Sequence, residues 1–379
     1  MTSRQLIAIA LIFGGFLGGC AHQRQAERYW PMLPEESGEI RQPETPPVVP
    51  LNPRRIQAEL WISISDIHIL KGRALRSDNL RRGIPPETSP QLHVWSSGII
   101  PRPSQHVLDL KLDGPLPRDI FADKENGNRI IYWNLSPILG KKDSIVIRRR
   151  VTIESYEILA VFDTTTISSY DSSGRIFQFY TKSEPFLKLT SEIRTKAAQI
   201  VGNETNPFSK ARKIFDWVNR NMVYDYPPPQ RGAQAALQLL KGDCGQYADL
   251  FVALCRAAGI PARFVSGFQA NKKPQLGYHA WAEFYLPEIG WVPADATHEG
   301  RTQFARLNSR RLISSVGSNI PLKHVPKWAT YANSDLENGR TDFMQVATVA
   351  YAGIRAKINA GIRTLGFEKE ENGPMPVPH

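Results

Sequence analysis

Cysteine is scarce in this chain: three in 379 residues, at positions 20, 244 and 255. None is followed by a second Cys or a His at the spacing of a zinc site, so no metal cluster is expected, and no cofactor. Long apolar runs are also missing outside residues 6–17, which excludes a multi-pass membrane protein. Acidic residues are outnumbered by basic ones, 36 against 47, for a formal charge of +11. The surplus lies in separated pairs, Arg54-Arg55, Arg81-Arg82 and Arg310-Arg311, and in the run Arg148-Arg149-Arg150. Scattered charge of this kind is a solvated surface and does not indicate nucleic acid as a partner. With 41% hydrophobic and 22% charged residues the composition is that of a globular protein, long enough for two folded domains.

What is present begins at the N-terminus. The apolar run 6–17 is short for a bilayer span and reads as an export signal. Its ending, Leu17-Gly18-Gly19-Cys20, resembles the lipobox of bacterial lipoproteins. That resemblance implies removal of residues 1–19 and lipidation of Cys20, giving a membrane anchor in which each buried CH2 contributes about 0.8 kcal/mol. Ala21, rather than an aspartate, follows the anchor, so the expected location is the bacterial envelope, at the outer membrane and facing the periplasm. Residues 20–54 carry Pro31, Pro34, Pro43, Pro46, Pro47, Pro50 and Pro53 without an apolar period, a semi-rigid tether.

From 55 to 185 the chain alternates in β-branched and aromatic runs, "AELWISISDIHIL", "QLHVWSSGII", "RIIYWNLSPI", "SIVIRRRVTIESYEILAVFD", separated by Asp113-Gly114 and Asn126-Gly127. This predicts an antiparallel β-sandwich. His68, His93 and His106 are isolated there and are expected to be ordinary histidines. Residues 186–300 read as helices followed by an antiparallel sheet, an α+β pattern. Helices are predicted over 190–201 and 207–221, the second with an apolar stripe of Ala211, Ile214, Phe215, Val218 and Met222. Residues 301–379 read as a C-terminal extension: "DFMQVATVAYAGIRAKINAGI" fits helix and strand equally, and disorder is expected from Glu368 onward.

The chemical signal lies in "GDCGQYADLFVALCRAAGIPARF", residues 242–264. Asp243 is placed to cap a helix that Gly259-Ile260-Pro261 terminates. A thiol on the first turn of a helix meets unpaired N–H groups and the positive end of the dipole, which favours the thiolate nucleophile. Such a thiol needs a base held by a carboxylate, and His279 and Asp295 follow on consecutive predicted strands. Cys255 is eleven residues on, about 16 Å along the helix, beyond disulfide reach. His298 and His324 have no assigned role.

These blocks, "GDCGQYADLFVALCRAAGIPARFVSGF" and "YHAWAEFYLPEIGWVPADAT" together with "KARKIFDWVNRNMVYDY", resemble the core of the transglutaminase-like superfamily over about 185–300. The resemblance implies a papain-like helix-plus-antiparallel-sheet fold, with Cys244 as nucleophile, His279 as general base and acid, and Asp295 as the orienting carboxylate. Cys255 departs from the leucine more usual in that family. The Cys244 backbone N–H is the natural oxyanion donor. Gln238 is a candidate second donor, Trp281 a candidate shield for the imidazole, and Glu283 a rival to Asp295.

One point of geometry resists this assignment. If "PEIG" is a strict four-residue loop, Leu286 pairs with Trp291 and Asp295 falls on the face opposite His279. A longer loop, or a bulge near Pro293, is therefore expected. The expected activity is thiol attack on an amide of a protein or peptide in the envelope, as peptidase, amidase or acyl transferase. The alternative is a non-catalytic envelope lipoprotein that binds a protein or cell-wall partner through the same cleft.

Overall fold

In the computed structural model the described residues are 48–270, 277–297, 303–332 and 334–369. The signal segment, Cys20, most of the tether, His298 and residues 370–379 lie outside them. Strand β1 (Val48–Ile69) alternates over Ile56, Ala58, Leu60, Ile62 and Ile64, and all five are buried on one face, as a period of two requires. It lies between β6 (Ile145–Ala160) and β14 (Ile354–Lys369), antiparallel to both, and β3 (Gln105–Asp113) pairs with β6.

The facing sheet runs β13 (Thr348–Ala352), β2 (Gln91–Gly98), β5 (Asn128–Asn134), β4 (Asp119–Asp123). Ile56, Leu60 and Ile62 meet Leu92, Val94 and Trp133 between the two layers, the sandwich that the alternation predicts. Within it the run 148–150 is consumed internally. Arg150 and Arg363, in register on either side of Glu59, both bind its buried carboxylate, Arg148 pairs with Asp113, and Arg149 is sunk against the carbonyls of Ser97 and Val346. His93 is an ordinary core histidine, its Nδ1 at 2.8 Å from the Tyr132 hydroxyl, and burial pushes it down to about 4.

Helix α1 (Gly72–Arg81) was not foreseen from the sequence. It has no apolar stripe and is fixed by Asn79, whose amide donates to the carbonyls of Pro85, Pro86 and Thr88.

After α2 (Arg175–Tyr180) come α3 (Ser191–Val201), α4 (Pro207–Asn221), α5 (Ala233–Leu239) and α6 (Cys244–Ala257). The α4 stripe Ala211, Ile214, Phe215, Val218 is fully buried against α6, in one core with Ala282, Phe284, Leu286, Val292 and Ala294. Those last five come from a sheet ordered β10 (Gln303–Phe304), β9 (Gly290–Asp295), β8 (Gly277–Leu286), β7 (Ala262–Gln269), β12 (Arg311–Val316).

Described strands after residue 300 pair with strands on both sides of the division expected at 185. The segment read as an extension supplies both edge strands, β10 and β12, of the sheet that carries β7–β9, and β13 and β14 of the sandwich, while β11 (Arg306–Leu307) pairs with β6. The ambiguous run 342–362 is strand from Thr348 onward, broken only at Gly353, because it completes sheets whose other members lie far upstream. Glu368 and Lys369, where disorder was expected to begin, belong to β14.

Candidate active site

Helix α6 begins as its cap residue dictates. The Asp243 carboxylate accepts the Gln246 N–H at 3.2 Å and is held from outside by Arg231 at 3.0 Å. At the other end Gly259 takes φ 77° and the Ile260 N–H returns to the Cys255 carbonyl at 2.9 Å. Gly245 to Arg256 are all buried, including Cys255 in the core, whereas Cys244 on the first turn is only partly covered. Both thiols are free.

His279 and Asp295 are brought onto one face by a hairpin shorter than expected. Leu286 pairs with Gly290 and Tyr285 with Trp291, so Pro287, Glu288 and Ile289 form a three-residue loop. Gly290, at φ 94°, joins the ladder as its first residue. Paired numbers then have an even sum, and odd residues on β8 share a face with odd residues on β9. The longer loop is not found, and Pro293 pairs regularly with Glu283 without a bulge.

His279 Nε2 lies 2.8 Å from Asp295 Oδ2, and Asp295 Oδ1 accepts the Thr297 N–H at 3.2 Å. The Cys244 side chain is among the groups that raise the same imidazole, and with Nε2 engaged, Nδ1 is the nitrogen left for sulfur. His279 is 4% and Asp295 3% exposed, so their interaction is little screened. Burial alone drives the imidazole down, but the Asp295 charge and hydrogen bond, with the Cys244 contact, outweigh it and push His279 up to about 9. Burial likewise works against Asp295 ionising, yet His279 and Arg311 hold its carboxyl well below the usual carboxylate range.

Trp281 is buried beside this pair, its ring stacked near His279 at 6.0 Å between centroids, and packs on Val265, Ile313 and Val316. It covers the imidazole from the side of the sandwich. Glu283 is not a rival to Asp295, since Arg263 Nε donates to it at 2.7 Å. Gln238 is a correction: it is exposed, and its amide donates to Glu192 on α3 at 3.2 Å. Helix α5 turns its alanines inward and leaves position 238 on the outer side, away from the thiol.

Several neighbours were not found from sequence. Arg311 Nη2 donates to Asp295 Oδ2 at 2.6 Å. The Gln345 amide donates to the carbonyls of both Gly267 and His279 at 3.2 Å. Gly267 stands opposite His279, where an added Cβ would meet the Leu312 carbonyl oxygen at 2.0 Å. Phe343 packs with Ala248, Phe264 and Ala280 around Cys244. It also lines, with Arg231, Asp342 and Phe186, a cavity of about 370 Å³. Behind that wall, burial with Asp342 nearby pushes the Asp249 carboxyl well above its ordinary value.

Among known proteins, residues 194–296 match the model of the transglutaminase-like superfamily. The chain carries a transglutaminase-like domain. An uncharacterized Haemophilus influenzae protein is 32% identical over 35% of this chain and 43% of its own length. A protein-glutamine gamma-glutamyltransferase of Pseudomonas aeruginosa is 37% identical over 20% of this chain and 14% of its own. The chain thus spans less than half the length of these curated relatives. A solved Cytophaga hutchinsonii structure, described as a candidate cysteine protease, superposes with a TM-score of 0.55 at 16% identity, over 87% of this chain and 96% of that one. The shared fold therefore reaches well beyond the transglutaminase-like domain into the sandwich. Cys244, His279 and Asp295 lie within the matched segment, whereas Arg311 and Gln345 lie outside it.

Proposed function

We propose that this protein is a thiol enzyme that attacks amide bonds, with Cys244 as nucleophile, His279 as base and acid, and Asp295 as the group that orients the imidazole. The observation that carries this reading is the accessible thiol on the first turn of α6, acting on an imidazole whose Nε2 is 2.8 Å from a buried carboxylate. The sulfur adds to the amide carbonyl carbon, and the backbone N–H of Cys244 is aimed at the developing oxyanion. The C–N bond then breaks as His279 gives its proton to the departing amine, leaving a thioester. Water or a second amine resolves the thioester, with His279 taking the proton of the incoming group.

Hydrolysis of a peptide or amide is the preferred outcome, and amine transfer the second. The related fold described as a protease favours the former, and the relative named a glutamyltransferase favours the latter. The proposed setting is the bacterial envelope, with Cys20 lipidated, the membrane held through that lipid at the outer membrane facing the periplasm, and a protein or peptide as substrate. Among the described residues no helix is long and apolar enough to cross a membrane.

Wild type and Cys244→Ala are to be compared on envelope extracts, with a thiol-directed probe and with or without a primary-amine tracer. Selective labelling at Cys244, and products lost in the variant, are expected. Identical product patterns and unselective labelling would leave the non-catalytic binding role standing. Incorporation of labelled fatty acid, abolished by Cys20→Ala, tests the anchor separately.

A further inference from the structure

We infer that Arg311 is a positioning residue of this site, fixing the Asp295 carboxylate and supplying the positive charge that balances the buried row Cys244, His279, Asp295. This rests on the thiol-enzyme reading above. Arg311 comes from β12, outside the segment 194–296 that defines the transglutaminase-like match. It is 4% exposed, and its guanidinium reaches Asp295 Oδ2 at 2.6 Å while also donating to Gln269 Oε1, its register partner on β7. Asp295 Oδ2 thereby accepts from His279 and Arg311 together, and Oδ1 from the Thr297 N–H. The carboxylate is held on three sides.

Charge explains why a cation is there. A thiolate, an imidazolium and a carboxylate, largely withdrawn from water, leave one net negative charge, which a low-dielectric site penalises. Arg311 closes the row at zero, with signs alternating along it. It also opposes the pull of Asp295 on the imidazole, keeping His279 a strong enough acid to protonate a departing amine. The charged groups facing His279 are Cys244 from α6, Asp295 from β9 and Arg311 from β12. Beyond Cys244 lie Asp249, Arg231, Asp243 and Asp342. The neighbouring Arg310 is exposed and 6.0 Å from the Phe367 ring, a built-in control for charge in this stretch.

The test is the rate of alkylation of Cys244 in the full chain by iodoacetamide, read residue by residue by mass spectrometry across pH, since it needs no substrate. Arg311→Gln is expected to move the alkaline limb set by His279 upward by about half a pH unit or more, and to slow amide turnover about tenfold. Arg311→Lys keeps the charge but not the fork, so it should leave the limb in place and still lower turnover. Arg310→Gln should change neither. A limb that stays put or moves down in Arg311→Gln overturns the inference. If that variant does not fold, wild-type turnover in Arg311→Lys overturns it instead. Wild type without any His279-linked limb sinks the thiol-enzyme reading and this inference together; a wild-type limb with indifferent Arg311 variants sinks this inference alone.

Discussion

The two faces of the β8–β9 hairpin are built from opposite materials. Even-numbered residues, Ala282, Phe284, Leu286, Val292 and Ala294, form a hydrocarbon wall under α4 and α6. Odd-numbered residues, His279, Trp281, Glu283 and Asp295, face the sandwich, and the carboxylates of Glu283 and Asp295 are matched by Arg263, Arg311 and Thr297. The even face provides burial energy and holds the helix that carries Cys244. The odd face holds the groups that titrate, and Arg311, which closes it, comes from a strand outside the transglutaminase-like domain. Stability and chemistry are thus separated by one residue of register.

The largest effect should come from the odd face. His279→Ala or Asp295→Asn is expected to lower turnover about 10³–10⁴-fold with the fold retained, by analogy with the loss of an orienting carboxylate in other triads; near-UV circular dichroism beside turnover checks both halves. The even face should answer in the opposite currency. Phe284→Ala removes a fully buried ring and should cost about 3–5 kcal/mol in urea unfolding, while the pH dependence of Cys244 alkylation stays that of wild type.

Gly267→Ala probes the seam between the faces. Its Cβ would collide with the Leu312 carbonyl oxygen and Trp281, so a loss of about 1–3 kcal/mol is expected, together with slower Cys244 alkylation as the opposing His279 is displaced.

A pH series sharpens the comparison further. His279 is raised in the folded chain, from 6.5 to about 9. Its protonated form therefore stabilises the fold fully below pH 6.5, and that contribution is lost as pH rises through about 9. Wild type should lose stability across that window more steeply than His279→Gln, measured by urea midpoints. Asp295 acts in the other direction, contributing above its unfolded range and losing the contribution only in strong acid, so it does not contaminate the window. Smallest of all, Gln238→Ala should leave turnover unchanged and stability within about 0.5 kcal/mol, since the residue is exposed and bonded only to Glu192 among the described residues.

Legibility of the sequence followed the range of the interactions. The cap Asp243, the terminator Gly259 and the α4 stripe are local, and each could be read from neighbours in the chain. The candidates Cys244, His279 and Asp295 could be named because each sits in a short local block, "GDCGQ", "YHAWAE" and "GWVPAD". Gln238 stayed open between a surface residue and a site donor, because a seven-residue helix leaves little periodicity to judge, and it is a surface residue. The hairpin register turned on one glycine conformation, which letters do not display. Arg311, Gln345 and the strands of the last seventy or so residues depend on pairings with distant partners, so no local window could reveal them.

That long-range pairing has a consequence during synthesis. In β1, Ile56 has Ile153 on one side and Phe367 on the other, and the second neighbour is among the last described residues of the chain to be made. Asp295 likewise emerges before its cation. A ribosome-bound intermediate would hold the nucleophile, the imidazole and the carboxylate while lacking their counter-charge and one edge of the sheet, so full reactivity should appear only after β12 and β14 have emerged.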